Sequence, residues 1–581
     1  MNKRTQKELE KLYQKVDSVP FQIERLGHRY FKEMTVFSVF APTTQRLYVM
    51  LDENRRYEMR KEEGTFTVTV KGDLEGHIYH YVNGDRLSYA DPFSFADTDD
   101  GKNSYILDTE KFIKRKVPVE KTDDPVIYEI SVRDFSSTLP CRYPKKFLAL
   151  TEEGIEVRGK SAGLDYLREL GITHVQIMPV FSFDDDLRHG KDYNWGYNPV
   201  SYSTFKRAYI VDHSDPYAGV NEVIEMVNKL HEEGLHVVFD VVFNHVYDVK
   251  TNQLERMIPD YFFRFTDSLK YANGTYCGNE VRSEGLFARA YFKEIVRRYI
   301  DIYDIDGLRY DLMGIMDIDT VNEISELALS RKDDFLMYGE GWNMGDVLPE
   351  KDRASEINLD KIDPVGAFNR FSRDGMIAYT FEEIIKDKEM QDAFEGSPLQ
   401  GFTPHQSINY VECHDNMTFY DRALEHTRNE EYLKKYAKFA LALVAFCKGI
   451  PFYHSGQEFL RTKCGIDNSY NIGDHINTLD WIRRGIYDDV TEYFTKLLKI
   501  RKKYPAFHNE TLPVYEEYYE MRVVRYGDLA VIINPCVFDH IFASSERYDV
   551  LFGKDGEALY DRDAFEVPAH TIVVAIRRNS V

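Results

Sequence analysis

The chain has 581 residues, with 74 Lys and Arg against 97 Asp and Glu, a formal charge of −23. That acidic balance excludes a polyphosphate partner such as a nucleic acid, and no apolar run reaches the roughly 18 residues a membrane span needs. Hydrophobic residues at 43% and charged ones at 29% are globular proportions, so sizeable cores are expected and not disorder.

The texture changes along the chain. Residues 1–28 are polar and helix-prone, basic at the start and without the apolar stretch of a signal peptide, so a cytoplasmic location is expected. Residues 29–112 carry short β-rich runs, TVFSVFAP, RLYVMLD, TFTVTV and HIYHYVNG, separated by Asp, Asn and Gly turns; that spacing predicts a small β-sandwich. A charged stretch, Lys111 to Asp124, reads as a linker. Over 122–507, apolar runs alternate with helix-length amphipathic segments: VIYEISV, THVQIMPV, LHVVFDVVF, DGLRYDLM, FLMYGEGW, INYVECHD and IPFYHSGQE in turn. Each run is short and β-branched or aromatic, as strands buried on both faces are. The alternation predicts an α/β fold, a (β/α)8 TIM barrel closed by a helix ending near Lys502. Phe439 to Cys447, the longest apolar run at nine residues, fits a buried helix. Residues 510–581 return to strand patterning in VYEEYYEMRVVRY, LAVIINP, YDVLF and TIVVAIRR, which predicts a C-terminal β-sandwich. Six cysteines without any CxxC pair read as free thiols in a reducing compartment.

Four carboxylates end predicted strands: Asp240 in HVVFD, Asp311 in GLRYD, Glu340 in FLMYGE and Asp415 in NYVECHD. Asp311 and Glu340 are one β–α unit of about 30 residues apart, so they belong to adjacent strands. Asp240 falls one strand earlier and Asp415 two strands later. In a barrel all four converge on the mouth where barrel enzymes place their chemistry. Converging acids need compensation, and Arg309, His245 and His414 stand beside them. Arg309 and Asp311, two apart on a strand, share a face, which would hold Asp311 ionised as a nucleophile. Glu340 has no neighbouring cation in sequence and lies near Trp342, whose apolar ring is expected to raise its pKa and keep it a proton donor. One charged and one neutral carboxyl facing a single linkage is what glycoside hydrolysis requires. Any one of these acids alone reads as a loop cap or ion-pair partner; the set reads as a functional mouth.

FDVVFNHV (239–246), GLRYDLM (307–313), YGEGW (338–342) and YVECHDN (410–416) resemble, in order and spacing, the four signature segments of the α-amylase superfamily, glycoside hydrolase family 13. YNWGYNP (193–199) resembles the further segment that marks type I pullulanases. GIPFYHSGQEF (449–459) and NSYNIGDHINTLDW (468–481) look like that family's eighth-strand region. The resemblance implies retaining cleavage of α-1,6-glucosidic branch linkages in pullulan, glycogen limit dextrins and branched maltodextrins, with an α-glucan as partner and no cofactor required. It implies Asp311 as nucleophile, Glu340 as general acid and then base, and Asp415 as a third acid on sugar hydroxyls. Arg309 would orient the nucleophile, His245 and His414 would bond sugar hydroxyls, Tyr197 would stack under the sugar, and Asp240 would support. Trp342 and Asn416 are each read two ways, as substrate-binding residues or as a core ring and a turn cap; Asn244 is read as a brace of its loop.

The N-terminal unit resembles carbohydrate-binding module family 48. It carries Phe40-Ala41-Pro42 where that pattern has Trp, and contains no Trp, so packing against the barrel is its expected role. DDD at 184–186 and Asp99–Asp100 lack the spaced ligands of a calcium loop; no metal ligand is assigned, and a structural calcium is left open. A monomer or weak homo-oligomer is expected. The rival readings are an isoamylase-like debrancher, a neopullulanase or a branching enzyme, and, outside catalysis, a glycan-binding protein that would have lost one of the three acids.

Overall fold

The computed structural model describes residues 5–84, 87–184, 193–345, 347–381, 387–509 and 511–578. Eight short parallel strands close a barrel: β1 (Ile127–Ile130), β2 (His174–Ile177), β3 (His236–Val241), β4 (Gly307–Tyr310), β5 (Leu336–Gly339), β6 (Gly366–Phe368), β7 (Ser407–Asn409) and β8 (Ile450–His454), with β8 pairing back to β1. Side chains alternate in and out along a strand. The lower inward layer is apolar, with Ile127, Val238, Phe368, Ile408 and Phe452 in one cluster. Two residues further along β1 and β3 the inward layer turns polar. Glu129 pairs beside Gln176, Asp240 beside Arg309, and Arg309 beside Tyr338. The register alone therefore collects these groups in one ring at the carboxyl end of the barrel.

Amphipathic helices cover the outside, among them Ala218–Glu232, Leu286–Tyr303, Ile318–Arg331, Glu430–Phe446 and Asp488–Lys503. Glu430–Phe446 contains the long apolar run, and its last eight residues, Phe439 to Phe446, are all buried. Strand β6 has no counterpart among the seven predicted runs. It has three residues and follows a cis Asp363–Pro364 bond and two short 3-10 turns, without a preceding α-helix, so neither strand length nor alternation marks it. Strand β7 is also shorter than predicted: it stops at Asn409, and Asp415 stands in the loop beyond it, not at a strand end.

Before the barrel, two antiparallel sheets face each other, one built on Met34–Phe40 and Thr65–Lys71, the other on Leu47–Leu51 and Ile78–Asn83. Phe37, Val39, Val49 and Tyr79 are buried between them. Phe40 is buried, and its ring lies 4.4 Å from that of Phe287 in helix Leu286–Tyr303. The same helix reaches the module through Tyr291, which donates to the Pro92 carbonyl at 3.0 Å, and Arg298, which donates to the Phe93 carbonyl at 2.6 Å. Helix Gln6–Asp17, opened by a Thr5–Glu8 capping box, buries Leu9, Leu12 and Val16. After the barrel, six antiparallel strands form one sheet. Val524, Val531, Ile533 and Val574 join the main core, while Met521, Val523, Ile532, Phe542 and Val573 make a second core on its other side. No helix among the described residues is long and apolar enough to cross a membrane.

Candidate active site

The polar ring is organised by one cation. Arg309, 2% exposed, donates from Nη1 to Asp240 Oδ1 at 2.9 Å and to Asp311 Oδ1 at 3.1 Å. Its Nη2 lies 2.7 Å from Glu340 Oε1. The planar guanidinium fork thus serves three carboxylates from three adjacent strands, a geometry one ammonium could not reproduce. Asp311 directly follows β4 and Glu340 directly follows β5, so both emerge at the same rim. Glu340 has no neighbouring cation in sequence, but the adjacent strand supplies one.

Burial raises the Glu340 carboxyl. Arg309 opposes the rise, and the negative charges of Asp311 and Asp415 add to it, leaving the group at about 7. The direction is the one expected, with burial as its largest cause and the neighbouring acids adding to it. Glu340 Oε2 also accepts the Leu312 N–H at 3.0 Å. Leu312 reaches it by adopting left-handed backbone (φ 40°), a strained conformation for a leucine. The turn after β4 then passes so close to the next loop that a Cβ on Gly314 would sit 1.9 Å from the Trp342 carbonyl oxygen. Only glycine fits there.

Asn244 is more than a loop brace. Its Nδ2 donates to Asp311 Oδ2 at 2.8 Å and to the Asp311 carbonyl at 2.8 Å. Its own Oδ1 is 2.7 Å from His245 Nδ1. Both oxygens of Asp311 are therefore held, one by Arg309 and the other by Asn244. His245 is buried behind this pair, and burial depresses its pKa.

On the opposite side, His414 Nδ1 is 2.7 Å from Glu129 Oε1, and its backbone N–H donates to Glu129 Oε2 at 2.7 Å. Burial would lower the imidazole pKa, but the Glu129 carboxylate outweighs it and the pKa is raised. The His414 carbonyl accepts from Lys463 Nζ at 2.9 Å. Tyr197 stacks on His414 with centroids 4.9 Å apart, and its hydroxyl donates to Asp240 Oδ2 at 2.6 Å. Burial pushes Asp240 up in spite of Arg309. Trp195 packs edge-on to His414 at 4.9 Å, whereas Tyr193 turns away to donate to Asp134 at 2.6 Å.

Glu129, Arg309, Glu340 and His414 from this network, with Trp342, Asp415 and Asn416, line a mouth of 230 Å³. Trp342 is a site wall and also packs on the barrel's inner apolar cluster. Asn416, exposed and left-handed (φ 72°), lines the mouth and donates its backbone N–H to Asp415 Oδ1 at 3.1 Å. Glu129 and Lys463 were not found in the sequence. A lone glutamate in VIYEISV, between apolar residues of a doubly buried strand, was the available signal for Glu129; Lys463 had none. Among the described residues no group of three or more His, Cys, Asp or Glu is placed to hold a metal ion. Asp99 pairs with Arg207 at 2.6 Å, and Asp100 accepts from Thr98 at 2.7 Å; Asp185 and Asp186 lie outside the described residues.

A closed (β/α)8 barrel with one acid held by arginine and asparagine, and a second acid poised near neutrality beside it, defines a glycoside hydrolase of the α-amylase type. The family model "Alpha amylase, catalytic domain" matches residues 92–270, a stretch that ends before Arg309. The pullulanase of Bacillus subtilis is 37% identical over 515 residues, which cover 83% of this chain and 72% of that protein. Two solved structures align almost throughout. A pullulanase from an Anoxybacillus species in complex with maltotetraose has a TM-score of 0.92 at 30% identity, covering 99% of this chain and 90% of its own. The Bacillus subtilis type I pullulanase with maltose has a TM-score of 0.89 at 32% identity, covering 97% and 86%. The chain belongs to the type I pullulanases of the α-amylase superfamily, glycoside hydrolase family 13.

Proposed function

We propose that Asp311 and Glu340 carry out a two-step displacement with net retention. The enzyme is a glycoside hydrolase that cleaves α-1,6-glucosidic branch linkages. In the first step an Asp311 carboxylate oxygen attacks the anomeric carbon, the bond from that carbon to O6 breaks, and the Glu340 proton passes to O6. In the second step Glu340, now a carboxylate, takes a proton from water, the water oxygen bonds the anomeric carbon, and Asp311 leaves. One observation carries this reading: a single guanidinium holds both acids at one rim, and burial raises Glu340 to about 7. Asp415, Tyr197, His245, His414, Trp342 and Asn416 complete the subsite for the glucose being transferred, and Asp240 supports Arg309. Tyr197 offers the sugar its ring face opposite His414.

The test is product analysis on pullulan. Maltotriose is the expected product, released first as the α-anomer by NMR. Panose as the main product would place cleavage at α-1,4 bonds, and a β-anomer would overturn the two-step scheme.

The pH dependence has a definite sign. Glu340 must carry its proton in the first step, so kcat/KM should fall tenfold per pH unit on the alkaline side of a midpoint near 7. A profile that stays flat to pH 9 would remove Glu340 as the acid.

Our reading extends to glycogen limit dextrins and branched maltodextrins inside the cell, by a monomer or weak homo-oligomer that needs no cofactor. Six free cysteines, two of them exposed, support a reducing compartment.

A further inference from the structure

The segment from Glu412 to Phe419 carries His414, Asp415 and Asn416 past the end of β7. The Glu412 side chain ties its two ends together. Oε2 accepts the Phe419 N–H at 2.7 Å, and Oε1 lies 2.7 Å from Nδ1 of His454, the last residue of β8. A guanidinium can only donate, and Arg461 Nη1 faces His454 Nε2 at 2.8 Å. That nitrogen is therefore the acceptor, and Nδ1 carries the proton that is donated to Glu412. Burial and the charges of Arg461 and Lys463 hold His454 well below the usual imidazole pKa, so it is neutral. Burial raises the Glu412 carboxyl, and the Phe419 N–H opposes the rise; with a donor at each oxygen, the carboxylate is the form that fits.

The bonds run on and close. Arg461 Nη2 donates to the Asn477 carbonyl, and Asn477 Oδ1 accepts from Trp195 Nε1 at 3.3 Å. Trp195 then packs edge-on to His414, so the ring of contacts returns to the loop it started from. Glu412, His454, Arg461 and Asn477 are all buried. Burying an acid and an arginine is costly, yet none of the four lines the mouth. Any effect they have on the reaction must pass through the loop.

We propose that this ring positions His414 and Asp415, with Glu412 as the positioning residue that fastens their loop at both ends. The proposal rests on the reading in which those two residues grip the glucose being transferred.

Glu412→Gln is isosteric but offers one acceptor to two donors, so one end of the loop loses its tie. On pullulan kcat should fall about tenfold or more, because a misplacement near 1 Å can cost ~100-fold. KM should change by less than about threefold, as for an interaction realised in the transition state. A merely structural residue would cost the same in any background. The change is therefore repeated in Asp415→Asn and followed by single-turnover rates, where a residue acting through Asp415 should cost less than about twofold. If Glu412→Gln does not fold, Trp195→Phe goes through the same cycle; it keeps a ring against His414 and deletes the bond to Asn477. Equal losses in both backgrounds, or no loss at all, overturn the positioning role and leave the debranching reading standing. Absence of maltotriose from the unaltered enzyme overturns that reading instead.

Discussion

Asp311→Asn should lower kcat on pullulan by about four orders of magnitude, as removal of a covalent nucleophile does elsewhere, while leaving the melting transition nearly in place. The substitution is isosteric. One carboxylate oxygen faces Arg309 at 3.1 Å and the other faces Asn244 at 2.8 Å, and an amide can retain an oxygen toward at least one of them. What disappears is the negative charge that attacks the anomeric carbon. Initial rates of maltotriose release and a thermal melt on the same preparation check both halves. Turnover within tenfold of the unaltered enzyme would move the nucleophile to another residue.

Arg309→Met should be the most damaging single change to stability. It removes the one cation lying between Asp240, Asp311 and Glu340 and leaves buried acids unpaired, at a cost of about 3–5 kcal/mol. The chain has several cores, so the loss should be read from the barrel's own transition in urea and not from a global two-state fit. Activity should fall about a thousandfold, because both acids lose the group that aims them. Arg309→Lys should restore little, since an ammonium cannot span three carboxylates. Near-native turnover of the lysine variant would show that charge alone, without the fork, suffices.

The sequence carried most of this site, and the reason is periodicity. A strand's two-residue alternation and a β–α unit's length place Asp240, Arg309, Asp311 and Glu340 on neighbouring strands before any coordinates are seen. Contacts across the barrel leave no such trace. Glu340 looked isolated because its arginine sits on the adjacent strand. The bond from Asn244 to Asp311 and the ion pair of Glu129 with His414 join residues far apart in the chain, and neither spacing nor composition announces them. Strand β6 escaped notice because three residues carry too little pattern, and β7 was read too long because the apolar tint of NYVEC continues past the last ladder bond. Asp415 consequently stands on a loop, where its position owes more to Lys463, Asn416 and the His414 backbone than to the sheet.

The pairing of β8 with β1 has a consequence for the life of the polypeptide. Ile127 lies beside Phe452, and Glu129 beside His454, so the ring that bears the chemistry has a seam between its oldest and youngest members. Glu129 fixes His414 from the early side of that seam, and Lys463, just past β8, fixes it from the late side. A nascent chain still waiting for Ile450–His454 to leave the ribosome has synthesised every acid yet cannot hold them in register. Competence therefore waits on β8 and the loop that carries Lys463.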